Sequence, residues 1–112
     1  MEAPKTYEEF WPYYVSQHMD ATCRNLHFVG TTLVHLAVAA AVITLNPWWL
    51  LAAPVAGYGF AWLGHFVFEK NRPATFGHPL WSLRGDFRMY YKMWAGKMNA
   101  ELERVRKQAL AT

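Results

Sequence analysis

A run of forty-one residues without Asp, Glu, Lys or Arg, residues 28–68, constrains this chain more than any other feature. A helix that crosses a bilayer needs roughly twenty apolar residues, which is more than the core helix of a small soluble protein usually offers. The run is interrupted at Asn46-Pro47, where the residue before proline resists helical geometry. The sequence therefore predicts a hairpin of two membrane-spanning helices, at about 28–45 and 48–68.

Amphipathic segments flank the predicted hairpin on both sides. The capping box Thr6-Tyr-Glu-Glu9 predicts a helix from about Tyr7, and Pro12 is expected to kink or restart it. An aromatic stripe nearer the C-terminus predicts a helix in the membrane interface, followed by a solvated charged tail at 101–107. The stripe consists of Phe87, Tyr90, Tyr91, Trp94 and Met98. With 112 residues there is room for one core, so we expect a single all-α membrane domain.

The charges are distributed unevenly around the hairpin. The net charge is −2 before Phe28 and +5 from Glu69 onward. Two spans place both termini on one side, and the Lys/Arg excess predicts that this side is the cytoplasm, at a bacterial inner membrane or at the endoplasmic reticulum of a eukaryote. Basic residues beside a membrane segment favour anionic membrane lipid, and not nucleic acid, as the partner. Homo-oligomerisation stays open.

The five histidines need an explanation, because imidazole is the commonest metal ligand and ionisable groups at membrane depth usually mark function. His18 and His27 are nine residues apart, which puts them on opposite faces of one continuous helix, but a turn at 20–23 would let them meet. The hairpin returns His65 to the depth of His27. The alternative is a set of interfacial histidines bonded to water or lipid.

The other candidate site residues are Glu69, His35 and His78, and their positions in the chain favour different roles. Glu69 lies four residues after His65, on the same face of an α-helix, and is a candidate ligand or base, unless it only pairs with a neighbouring Lys or Arg. His35 lies deeper, and a buried, hydrogen-bonded histidine is the simpler interpretation. His78 precedes a proline in a predicted loop, where an exposed histidine is expected.

Two or three histidines with a carboxylate and open coordination positions suit non-haem iron(II), which activates O2. The single Cys23 matches no zinc spacing, and di-iron membrane hydroxylases use more histidines than this chain has. One iron is therefore favoured. Two alternatives stay open: a haem-binding protein with His27 or His35 opposite His65, and a non-enzymatic small membrane protein that acts as a lipid-binding or assembly subunit.

Two stretches, SQHMDATCRNLHFVGTTL and GHFVFEKNRPATF, resemble a small membrane-protein family whose characterised fungal member is an endoplasmic-reticulum 2-hydroxy fatty acid dioxygenase. The first stretch has a histidine nine residues before an Asn-x-His pair, and the second has Gly-His-x-x-x-Glu-Lys followed by Pro-Ala. The resemblance covers about residues 7–90. The matching positions are His18, Asn25, His27, Gly64, His65, Glu69, Lys70, Pro73 and Ala74.

The resemblance implies an iron(II)-dependent enzyme of fatty acid α-oxidation that uses O2 to shorten a 2-hydroxy acyl chain by one carbon. It implies that the iron ligands are His18, His27 and His65. In the mechanism that follows from it, Glu69 is a ligand or proton acceptor. Candidates for binding the fatty acyl substrate are Arg72 or Arg84, through a charge-assisted fork to the carboxylate, and Asn25 of the shared motif.

Overall fold

The computed structural model describes residues 3–111, which are mostly helical and contain no strand. Two 3₁₀ helices, Pro47–Leu51 and Ala74–Phe76, and a π-helix, Gly64–Glu69, connect the α-helices. The all-α class predicted from the sequence is thus confirmed. The α-helices are α1 (Tyr7–Ser16), α2 (Ala21–Thr44), α3 (Ala52–Leu63), α4 (Pro79–Trp94) and α5 (Met98–Ala111).

Two helical stretches are long and apolar enough to cross a membrane: α2, with 24 residues, and Pro47–Glu69, with 23. Only 28% and 17% of their apolar windows are buried inside the protein, whereas a soluble core helix would be mostly covered. Leu45 ends α2 in the left-handed conformation, with φ of 55°, and the Asn46 side chain caps the next helix. The predicted turn is correct, and α2 extends on the N-terminal side of the predicted span to Ala21, where the Asp20 side chain caps it.

The first helix starts where the capping box predicts. The Thr6 hydroxyl accepts a hydrogen bond from the Glu9 amide, and α1 then runs without interruption through Pro12. No restart occurs at the proline, because the buried side chains of Phe10, Trp11 and Tyr14 hold both halves in one core.

The C-terminal part departs from the sequence-based prediction of one interfacial helix and a solvated tail. Gly96, with φ of 72°, separates α4 from α5, and α5 returns to pack against α1. Glu101 and Leu102 are 3% and 6% exposed, so the solvated tail was wrong for these two residues. Burial of Glu101 is stabilised by the Trp11 indole N–H at 3.2 Å and by ion pairs with Lys92 and Arg104 at 3.1 and 2.7 Å.

Glu101→Gln is expected to lower the free energy of unfolding by about 1–3 kcal/mol, because a buried charged acceptor loses its partners. Burial raises the pKa of Glu101, but the hydrogen bonds from Lys92 and Trp11 outweigh it, so the pKa is lowered. A lowered pKa gives stability that is present at neutral pH and lost as the pH falls through the folded-state pKa. The difference in stability between the wild type and Glu101→Gln, measured by thermal unfolding in detergent, should therefore become smaller as the pH is lowered. Glu103→Gln, in an exposed pair, should change little.

Candidate metal centre

Three separate segments bring His18, His27 and His65 together in the interior. His18 lies between α1 and α2, His27 lies in α2, and His65 lies in the π-helix. Their side chains are 1%, 4% and 2% exposed, and one ligand nitrogen from each lies within 4.8 Å of the others. The three rings meet edge to face, with centroids 4.5–4.9 Å apart. The sequence prediction that these three histidines converge is confirmed.

The turn that lets His18 meet His27 lies between the end of α1 at Ser16 and the start of α2 at Ala21. This is a few residues before the predicted joint. Arg24 fixes the turn by donating from its guanidinium to the His18 carbonyl at 2.8 Å. The Asp20 carboxylate accepts from the Cys23 amide at 2.9 Å and so starts α2.

Each of the three imidazoles is held through its Nδ1 atom. His18 Nδ1 lies 2.6 Å from the Tyr14 carbonyl, and His27 Nδ1 lies 2.8 Å from the Cys23 carbonyl. His65 Nδ1 lies 2.6 Å from the Asn71 side-chain oxygen. A carbonyl oxygen only accepts, so each Nδ1 carries the proton and each Nε2 keeps a free lone pair. Such partners on the far nitrogen are typical of metal-binding histidines.

These lone pairs make a cation the natural occupant of the centre. His18 Nε2 and His27 Nε2 are 3.2 Å apart, and with both protons on Nδ1 neither can donate to the other. Two lone pairs that face each other in a buried space repel unless a cation lies between them. Burial, together with the neighbouring His27 and His65, lowers the pKa of His18 well below its ordinary value, which keeps its imidazole neutral and available as a ligand.

The π-helix changes the register between His65 and Glu69. The Asn71 amide donates to the His65 carbonyl at 3.0 Å, across a wider turn than an α-helix makes. Asn71 thereby reaches the His65 ring, while the Glu69 carboxylate accepts from the Asp20 amide and lies outside the histidine cluster. The α-helical spacing of four residues predicts Glu69, and not Asn71, beside His65. Turns of π-helix occur often at functional sites.

Asn71→Leu is expected to weaken binding of a divalent metal ion at this centre by about tenfold to a hundredfold, because His65 loses the acceptor that fixes its ring and tautomer. Asn71 also donates to the Gln17 carbonyl at 3.0 Å, so the turn before α2 should loosen. The measurement is anaerobic iron(II) titration against a chelator. Asn99→Leu, at an exposed position in α5, is the control and should bind iron as the wild type does.

The three residues predicted to bind substrate lie apart from the histidines. The Arg72 guanidinium lies 5.1 Å from the centre of the Phe76 ring, and that of Arg84 lies 3.8 Å from the centre of the Tyr7 ring. Asn25 is exposed and lines a shallow depression beside α5. Their roles in substrate binding stay predictions.

Sequence reasoning missed Tyr14 and Asp86. The Tyr14 ring stacks on His18 with centroids 3.9 Å apart, and its hydroxyl donates to the Asp86 carboxylate. Burial raises the pKa of Asp86 to about 7, although the bond from Tyr14 opposes the rise. Asp86 is the sole acidic residue between Glu69 and Glu101. This isolation within an aromatic amphipathic segment was the available signal.

His35 and His78 lie away from the cluster, as the sequence indicated, but His78 is half-buried, so the prediction that it is exposed was wrong. His35 Nδ1 lies 2.8 Å from the Thr31 carbonyl and its Nε2 lies 2.5 Å from the Tyr91 hydroxyl. The His78 ring packs against Phe10 and Trp81. Both rings therefore serve packing between helices.

An apolar cavity of about 250 Å³ opens beside the centre, between α2, α3 and α4. His27 and Asp86 contribute its ionisable groups, and most of the other lining residues are apolar. A cavity that is mostly apolar and is lined by one histidine of a buried cluster is suited to a substrate with one polar end and one hydrocarbon end.

Most of the chain matches the model of a known protein family. The chain matches the family model described as 2-hydroxy-palmitic acid dioxygenase Mpo1-like over residues 4–98. No curated protein and no solved structure gives a significant match. Because the match spans most of the chain and includes all three histidines of the centre, this chain belongs to the Mpo1-like family of 2-hydroxy-palmitic acid dioxygenases.

Proposed function

We propose that the protein is an iron(II)-dependent dioxygenase that shortens 2-hydroxy fatty acids by one carbon. The observation that carries the proposal is the convergence of three neutral, buried imidazoles, one of which, that of His27, lines an apolar cavity. The family description supplies the substrate class. Three nitrogen ligands would leave coordination positions for substrate and O2 on a bound ion, which is the chemistry that non-haem iron oxygenases use.

Bound iron(II) would supply activation of O2. The chain's own contribution is to hold the ion with His18, His27 and His65, and to exclude bulk water by burying all three. Asp86 and Thr31 offer polar groups at the cavity wall, where the substrate's carboxyl and 2-hydroxyl groups would be oriented. An Asp86 carboxyl that is partly protonated near neutral pH repels a carboxylate less than an ionised one does.

The overall reaction balances without a further reductant. The bond between C1 and C2 breaks, C1 leaves as carbon dioxide, and C2 becomes the carboxyl carbon of the shorter acid. One O2 accepts the four electrons released and yields one water. The protein therefore has no need of a reductase partner for turnover.

Four other residues keep proposed roles. Glu69 would act as a proton acceptor or ligand, which requires its carboxylate to leave the Asp20 amide. Arg72, Arg84 and Asn25 would guide an anionic head group from the surface, because all three side chains are exposed.

The membrane placement is part of the same proposal. The two apolar helices would cross the bilayer, with both termini in the cytoplasm, and fatty acyl substrate would enter the cavity from lipid. The exposed apolar side chains of α2 and α3 support contact with acyl chains. A membrane partner also explains why the site lies near the polar ends of the helices.

The cluster geometry favours a single ion over haem. Axial histidines of a haem lie on opposite faces of the macrocycle, whereas the His27 and His65 ring centroids are only 4.9 Å apart and the His18 ring packs against both. His35, the other candidate for an axial ligand, is bonded at both nitrogens. A non-enzymatic lipid-binding subunit is the remaining alternative.

The deciding experiment uses the full chain in lipid nanodiscs, loaded with iron(II) without oxygen. On admission of O2, 2-hydroxypalmitate should be consumed with equimolar O2 and appear as pentadecanoate and carbon dioxide, by mass spectrometry. Palmitate, which lacks the 2-hydroxyl, should be inert. A Soret band would instead establish haem, and bound iron without turnover would favour the non-enzymatic alternative.

A further inference from the structure

The cavity beside the metal centre is elongated along the axes of α2 and α3. On α2 it is lined by His27, Thr31 and Val34, whose spacing of four and three keeps them on one helix face. On α3 the lining residues include Ala61, Gly57 and Ala53, again at four-residue steps. Both rows run along a helix axis, so the cavity is an elongated channel parallel to the two helices.

The register of the hairpin fixes which ends of the two rows lie together. A Cβ atom on Gly64 would lie 3.0 Å from Cys23 Sγ, and one on Gly57 would lie 3.1 Å from Val34 Cγ2. The helices are antiparallel, so Ala61 lies near the level of His27, Gly57 lies beside Val34, and Ala53 lies one turn beyond Val34 toward the hairpin turn. Seven to eight residues separate the ends, which corresponds to about 10–12 Å of helix rise.

The two ends of the channel differ in chemistry. His27 and Asp86 mark the metal end, where Tyr14 connects Asp86 to His18. Val34, Ala53 and Pro54 mark the far end, which carries no ionisable group among the described lining residues. The channel is therefore complementary to a molecule with a polar head at the metal and a hydrocarbon tail that extends toward the hairpin turn.

We propose that Ala53 determines how long a hydrocarbon tail the channel accepts. This inference rests on the proposed function for the identity of the head group. Ala53 contributes only a methyl group to the far end of the channel, and a larger side chain there would occupy part of that end. One methylene too many in an apolar pocket costs roughly tenfold or more in discrimination, so this single position separates long tails from short ones.

The test compares Ala53→Leu with Ala52→Leu. Ala52 is the preceding residue of the same helix turn, but it is exposed and does not line the channel. Retention of 2-hydroxypalmitate and 2-hydroxyoctanoate by iron-loaded protein in nanodiscs is measured without O2, by mass spectrometry. Ala53→Leu should reduce retention of 2-hydroxypalmitate roughly tenfold or more and leave 2-hydroxyoctanoate within about twofold. Ala52→Leu should change neither.

A second variant changes the channel in the opposite direction. Val34→Ala enlarges the far end and should raise retention of 2-hydroxystearate relative to 2-hydroxypalmitate. Circular dichroism verifies the helical fold of each variant. The inference is overturned if both variants leave the chain-length preference unchanged, or if Ala53→Leu lowers retention of both acids equally.

The readout separates this inference from the proposed function. Retention is measured before any O2 is admitted, so it does not depend on turnover. A chain-length shift without oxygen consumption would support the channel and refute the dioxygenase. Turnover without a chain-length shift would support the dioxygenase and refute the channel.

Discussion

Single replacement of His18, His27 or His65 by alanine is expected to remove bound iron and to abolish oxygen consumption with 2-hydroxypalmitate. Each side chain supplies one of three lone pairs that converge within 4.8 Å, and two remaining imidazoles hold a divalent ion poorly. Loss of a supporting residue alone typically costs tenfold to a hundredfold in affinity, so loss of a ligand should exceed about a hundredfold. Iron per chain is measured by mass spectrometry after chelator challenge.

The chain provides matched controls for these three substitutions. His35→Ala and His78→Ala remove imidazoles of the same size that lie outside the cluster. Both variants should retain iron, although His35→Ala loses the bond to Tyr91 and should be somewhat less stable. If all five alanine variants lost iron to the same extent, the cluster would not be the site.

Gly64→Val is expected to disrupt the hairpin at the level of the metal centre. A Cβ atom at this position would lie 3.0 Å from Cys23 Sγ, 3.1 Å from Cys23 Cα and 3.3 Å from Cys23 O. Two of these atoms belong to the backbone of α2 and cannot move alone. Overpacking of this kind costs about 1–3 kcal/mol or more. Since Cys23 also accepts from His27 Nδ1, iron binding should fall together with stability.

Gly59→Val is the control for this substitution. Gly59 lies in α3, and a Cβ atom there meets nothing within 4 Å. The same change in residue type should therefore leave the midpoint of thermal unfolding and the iron content close to wild type. Equal losses in the two variants would show that glycine content, and not the contact with Cys23, is what matters.

Much of the fold follows from simple patterns in the sequence. The uncharged run 28–68, broken at Asn46-Pro47, is enough to predict an antiparallel hairpin, and the capping box locates the start of α1. The hairpin in turn places His27 and His65 at one depth. The helical class and the histidine convergence could be predicted because each depends on local periodicity and on one chain reversal.

The parts that could not be predicted depend on contacts between distant segments. Burial of Glu101 depends on Trp11 and Lys92, and no local pattern reveals that α5 packs on α1. The π-helix contains one wider turn, which shifts every later side chain around the helix axis. Asn71, and not Glu69, therefore lies beside His65. The approach of Tyr14 to Asp86 requires α4 to pack against α1, with Gly85 directly against the Tyr14 ring.

The order in which the three histidines of the centre are synthesised determines when the site can form. His18 and His27 leave the ribosome early, while His65 follows only after the whole apolar run has been made. The two early imidazoles cannot complete a three-nitrogen site until the second apolar helix has folded back beside the first. A metal held by all three histidines would therefore be acquired only after both helices are in place, and a chain arrested between them would lack the complete site.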